Sequence, residues 1–173
     1  STGNAMNTGR RYLGRSGTAT SALAFGGDAN GTTGVDDTEQ YNGTNWTEVN
    51  DMNTARRTMG CGADNTSALA FGGQPGDSGS VSNLTESWNG TNWTAVNTMN
   101  NARATAAGSG IITSALVYGG TPTPRAYTES WNGTNWTEVG DLNQGRYGNA
   151  GAGLTNTNAL CFGGYGPNYS ALT

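Results

Sequence analysis

The chain contains no histidine and no lysine; all eight of its basic residues are arginine. Without histidine there is no His-based general base, no Ser–His or Cys–His nucleophile pair and no His-containing metal site. Without lysine there is no Schiff-base chemistry. Two cysteines, Cys61 and Cys161, are too few for a four-thiolate zinc site. They fall at different offsets of the repeat described below, so they read as small buried hydrophobes rather than as a disulfide. Leu, Ile, Val and Phe together number only 20 of 173 residues, below the roughly 20% typical of folded domains. No stretch of about 18 apolar residues is present, so membrane insertion is not expected. No charged-then-apolar leader is visible. The sequence starts with Ser-Thr rather than Met, which leaves open a removed leader or a longer parent chain. Twelve acids against eight bases give a net charge of −4, a poor electrostatic match for nucleic acid. No cofactor is implied.

The chain is rich in Gly, Thr, Asn and Ser, 88 residues in all. Such a composition suits disorder, but disorder also asks for high net charge, and five Trp and seven Tyr argue for packing. The scarce apolar residues recur in a pattern. SALAFGG occupies 21–27 and 67–73, SALVYGG 114–120 and NALCFGG 158–164. An aromatic-Asn-Gly-Thr-Asn-Trp run occupies 41–46, 88–93 and 131–136. A Met/Leu-Asn-x-x-Arg run occupies 6–10, 52–56, 99–103 and 142–146.

Each repeat reads as four short strands. In the second, a small, Gly-rich strand a covers Arg57 to Ala63 and strand b covers Ser67 to Phe71. Strand b is apolar on both faces, with Ala68 and Ala70 on one and Leu69 and Phe71 on the other, so it is buried on both sides. Strand c covers Leu84 to Trp88 and strand d Trp93 to Val96, joined by a tight Asn-Gly turn. Nothing has a helical period. Four-stranded repeats of this length with two apolar faces predict an all-β fold, a β-propeller with four-stranded antiparallel blades. The expectation is one propeller segment over 1–173, with three complete blades and one partial blade. Its repeats run approximately over 6–50, 51–97, 98–140 and 141–173, the last lacking its outer two strands.

Gly-Gly after an apolar run, then Glu and an aromatic, then a Trp some five residues on, resembles the kelch repeat. The resemblance covers nearly the whole chain. It departs from the common kelch form where Asn-Gly-Thr-Asn replaces Asp-Pro-x-x-Asn. The Asn/Thr-rich repeats are similar to kelch-like proteins of marine viruses and environmental bacteria. That likeness implies an extracellular or virion-surface location and host recognition, for example on a viral tail fibre. Galactose oxidase resembles kelch proteins in fold, but its copper site needs histidine. An open blade leaves unpaired strand edges, so a same-type chain or a missing propeller segment is expected to complete the ring.

Candidate site residues come from what differs between repeats. The b–c loops differ most, and variable loops on a rigid scaffold carry recognition. Arg125, Tyr127, Tyr165 and Tyr169 suit a glycan or cell-surface protein, since aromatic faces stack and Arg donates in a fork. Asp36 and Asp37 belong to the corresponding acidic loop. Arg10, Arg56, Arg103 and Arg146 precede the innermost strand of each repeat. They admit two readings: an anion site around the channel mouth, or structural pairs with Glu39, Glu86 and Glu129 of strand c. Recurrence in every repeat favours the second. The tryptophans read as blade packing. Asp28-Ala29-Asn30-Gly31 echoes a calcium loop but reads better as a polar turn; no metal site is expected. Among the non-repeat acids Asp36, Asp37, Asp64 and Asp77, no two are singled out as a catalytic pair. The function expected is non-catalytic recognition of a surface glycan or protein through the b–c loops. The alternative is a structural assembly module whose open blade pairs with a neighbour.

Overall fold

The computed structural model describes residues 3–31, 33–76, 79–123 and 125–166, without the side chains of 58–63. The fold is all-β. Strands β1 (Gly14–Thr18), β2 (Ser21–Phe25), β3 (Thr38–Tyr41) and β4 (Trp46–Val49) form the first antiparallel sheet, in chain order. Strands β5 (Arg57–Asp64), β6 (Ser67–Gln74), β7 (Thr85–Trp88) and β8 (Trp93–Val96) form the second. Strands β9 (Ala107–Ile111), β10 (Ser114–Tyr118), β11 (Thr128–Trp131) and β12 (Trp136–Val139) form the third. Strands β13 (Ala150–Thr155) and β14 (Asn158–Phe162) pair as a two-stranded fourth. The first strands of the sheets lie side by side in chain order: β1 by β5, β5 by β9 and β9 by β13. These are propeller-type blades, and no ladder joins one sheet to another among the described residues.

Strand limits in the second sheet differ from the sequence expectation in three places, the first being β5, which ends at Asp64 rather than Ala63. In the second sheet β6 runs on through Gly72 and Gly73 to Gln74. Strand β7 starts at Thr85 rather than Leu84. Leu84 instead turns its carbonyl onto the Gly72 N–H, closing the loop between these strands.

The core lies between blades. Leu23, Phe25 and Met52 cluster with Ala68, Ala70, Trp88 and Trp93. Leu69, Phe71 and Met99 cluster with Ala106, Ala115, Val117, Trp131 and Trp136. Small residues on one side make room for large ones on the other. A Cβ on Gly108 would run into the Phe71 ring of the preceding blade, and one on Gly151 into the Tyr118 hydroxyl. Glycine in the innermost strands therefore sets how closely neighbouring sheets approach. Both tryptophans of a blade pack on each other, with ring centroids 5.5 Å apart for Trp88–Trp93 and 5.3 Å for Trp131–Trp136. Their indole N–H groups are satisfied. Trp88 donates to the Asn65 carbonyl and Trp131 to that of Ile112, while Trp93 and Trp136 donate across the blade boundary to Thr38 and Thr85 Oγ1.

Candidate recognition surface

The loops are mounted on a frame repeated in each complete blade. Arg10 Nη2 lies 2.9 Å from Glu39, Arg56 Nη1 2.6 Å from Glu86 and Arg103 Nη2 2.5 Å from Glu129. The side chains of these arginines are fully buried. The other oxygen of each carboxylate accepts a backbone N–H from the Asn-x-x-Arg run: Asn7, Asn53 and Asn100, each at 2.7 Å. Burial lowers the pKa of Arg56 and Arg103, and the facing Glu86 and Glu129 oppose it.

This geometry corrects the channel-mouth reading of Arg10, Arg56 and Arg103. A guanidinium closed off from solvent with a carboxylate in hydrogen-bond contact is not open to an external anion. Arg146 is buried as well, and its Nη1 donates to the Gly163 carbonyl at 3.0 Å.

The same arginines hold the b–c loops. Arg10 donates to the carbonyls of Gly26 and Asp37, and Arg103 to those of Gly119 and Tyr127. A backbone triangle recurs beside them. Gly27 N donates to Arg56 O, Arg56 N to Val35 O and Val35 N to Gly27 O. Gly73, Arg103 and Ser82 repeat it, as do Gly120, Arg146 and Arg125. The second glycine of each pair has φ near +105°: 105° at Gly27, 102° at Gly73 and 107° at Gly120. A side chain would be strained there, which is why the Gly-Gly pair recurs.

On this frame the third and fourth blades bring three of the expected residues together. The Arg125 guanidinium lies over the Tyr127 ring, 5.6 Å from its centroid. A backbone bridge joins Arg125 to Arg146, and the next residue, Tyr147, bridges to Tyr165. The Tyr147 and Tyr165 rings are 5.1 Å apart. Tyr127 and Tyr165 are exposed. No acceptor for the Arg125 guanidinium exists among the described residues, and its Nε is buried without a partner. Tyr169 lies outside the described residues, as does Asp77. Asp36 and Asp37 are half-buried on the first blade and are not part of this group. Their carbonyls are used by the scaffold, Asp36 O accepting from Met52 N and Asp37 O from Gly26 N.

Sequence reasoning passed over Tyr147. The available signal was its place: it directly follows the repeated Arg, where the other repeats have Arg11, Arg57 and Ala104. That position also supplies a second cluster. Arg11 and Arg57 lie 3.3 and 3.1 Å from the buried Asp28 carboxylate, which also accepts the Gly31 and Asn30 N–H groups. Burial pushes the Asp28 carboxyl up. The Gly31 N–H, the Arg11 hydrogen bond and the Arg57 charge outweigh it and hold it below its ordinary value. A carboxylate already facing two guanidinium groups is occupied as a loop clamp. Among the described residues no group of three or more metal-ligating side chains is present. Burial pushes the Cys161 thiol up, against the opposing Asn149 hydrogen bond and Arg146 charge.

No protein-family model matches the chain, and no curated protein matches it.

Proposed function

We propose that the chain is a non-catalytic recognition propeller of the kelch-like kind. It is displayed outside a cell or on a virion and binds a surface glycan or protein through the loops of its third and fourth blades. The observation that carries this reading is Arg125. The arginines of the repeated frame in the complete blades are spent on internal carboxylates, whereas Arg125 has none and lies against an exposed tyrosine. A guanidinium fork beside aromatic faces offers donors for hydroxyls or carboxylates and flat apolar surface for sugar C–H faces or side chains. The kelch-like character rests on the Gly-Gly, Glu-aromatic and Trp order of the repeats. The absence of histidine and lysine supports a binding role over a catalytic one.

A glycan array followed by titration of the best binder tests this. Arg125→Ala and Tyr127→Ala should each weaken binding about tenfold or more and leave the melting temperature unchanged, because the scaffold uses only the backbone of these residues. Binding equal to that of the unaltered chain would overturn the assignment.

A further inference from the structure

One position of the repeat bends the chain into the innermost strand. It lies two residues after the frame arginine and is filled by Tyr12, Thr58, Thr105 and Gly148. The φ angle is 55° at Tyr12, 51° at Thr105 and 61° at Gly148. All three are left-handed, a conformation that suits glycine and strains a side chain. The fourth repeat shows that glycine satisfies the bend. Thr105 uses its side chain within its own blade, donating to Thr121 Oγ1 at 3.2 Å. Tyr12 turns its ring outwards instead, 64% exposed, with the Arg11 guanidinium over it at 5.2 Å from the centroid. That exposure belongs to the position in the repeat. Thr105 is exposed too, although β5 and β13 flank the innermost strand of its blade. Strain kept at an exposed aromatic, where glycine would serve the fold, points to a contact residue.

Tyr12 also stands on the face that carries the b–c loops. The residue after the frame arginine makes a backbone bridge to the loop of its own blade: Arg11 to Asp28, Ala104 to Thr121 and Tyr147 to Tyr165. Arg11 thus holds in the first blade the place that Tyr147 holds in the fourth. Asp28 keeps Arg11 in position at 3.3 Å, and the Arg11 side chain is still 58% exposed. The first blade therefore shows a guanidinium beside an open aromatic ring, as Arg125 and Tyr127 do in the third. The whole second blade lies between the two pairs. Packed sheets stand about 10 Å apart, so no single sugar ring touches both.

Resting on the recognition reading above, we propose that Arg11 and Tyr12 form a second binding subsite on this face. The ligand is then an oligosaccharide of several sugar units, whose chain reaches from the third blade to the first. Tyr12 supplies a flat apolar surface for the C–H face of one unit, and Arg11 supplies donors for its hydroxyls. Each subsite alone holds a short piece of the chain, and linking the pieces makes the second contact intramolecular.

Titration calorimetry with size-graded oligosaccharides, from disaccharide to octasaccharide, of the glycan that the array selects tests it. Affinity of the unaltered chain should rise about tenfold or more with length. Tyr12→Gly should remove that gain and leave disaccharide binding as it is. Its melting temperature should stay level or rise, because glycine accepts the left-handed bend. Tyr12→Phe keeps the stacking face and should keep the gain. Arg125→Ala should weaken binding at every length. Octasaccharide binding by Tyr12→Gly equal to that of the unaltered chain would overturn the second subsite, as would affinity that does not grow with length. In either case a loss with Arg125→Ala would leave the recognition reading standing. Failure of every glycan to bind would overturn the subsite and leave the recognition reading only a protein ligand.

Discussion

Each buried Glu of the complete blades is held from two sides, by a guanidinium and by the N–H of an asparagine three residues before that arginine. Removing one partner strands the other charge in a closed interior, which costs about 3–5 kcal/mol. Glu86→Ala should therefore lower the urea midpoint sharply, while an exposed acid such as Glu48→Ala should leave it nearly unmoved. Asp28 gives a pH dependence. Its folded pKa lies below the ordinary 3.8, so its stabilisation is in full force above the unfolded value and is lost as pH falls through the folded one. Asp28→Asn should lower stability at neutral pH and flatten the acid limb of the stability curve below about pH 4. Acid unfolding of both chains, followed by tryptophan fluorescence, measures this; identical acid limbs would remove Asp28 from the account. The Arg–Glu partnership was half legible in the sequence. Both residues recur once in each complete repeat, but 26–30 residues separate them. Which acceptor the guanidinium meets depends on how the intervening strands fold back. Tyr147 was hidden by the same circumstance, since only the bridge to Tyr165 gives its position meaning.

At the scale of the element, the blade is legible nearly to the residue. Strand β8 falls where the Trp-to-Val run places it, and the alternation of Ala with Leu and Phe in β6 reports two buried faces. The reach of β6 through Gly-Gly was not legible, because glycine reads as a break. The β5–β6 register shifts there, between Met59–Phe71 and Arg57–Gln74, and Gly72 and Gly73 donate instead to the Leu84 and Arg103 carbonyls in other segments. Links between blades lay equally out of sight. Thr85 looks like an ordinary strand threonine, yet its hydroxyl accepts from Trp136 of the next blade at 3.0 Å. Thr85→Val keeps the shape and leaves a buried indole N–H unpaired, at about 1–3 kcal/mol. Thr85→Ser should recover most of that loss. Equal urea midpoints for Thr85→Val and the unaltered chain would show that the bond contributes nothing.

For the whole molecule, each sheet packs on its chain neighbours, so stability is close to a sum of blade terms and boundary terms. The second sheet has a neighbour on both sides and β6 is buried along nearly its whole length, whereas β13 and β14 are largely open. An isolated two-stranded pair is marginal. Hydrogen exchange at high dilution should therefore be slowest in β6 and fastest in β13 and β14. Uniform protection across the four sheets would contradict a nearest-neighbour molecule. The arginine frame has one more consequence. Arg10 and Arg103 grip the b–c loops at the carbonyls of Gly26, Asp37, Gly119 and Tyr127, and a carbonyl is the one group every amino acid brings to its place. At the outer end of a loop the frame thus reads the course of the chain and ignores its letters. A loop of suitable length and another sequence could be exchanged into a blade with its anchors intact, so the molecule is built to change what it touches while keeping how it stands.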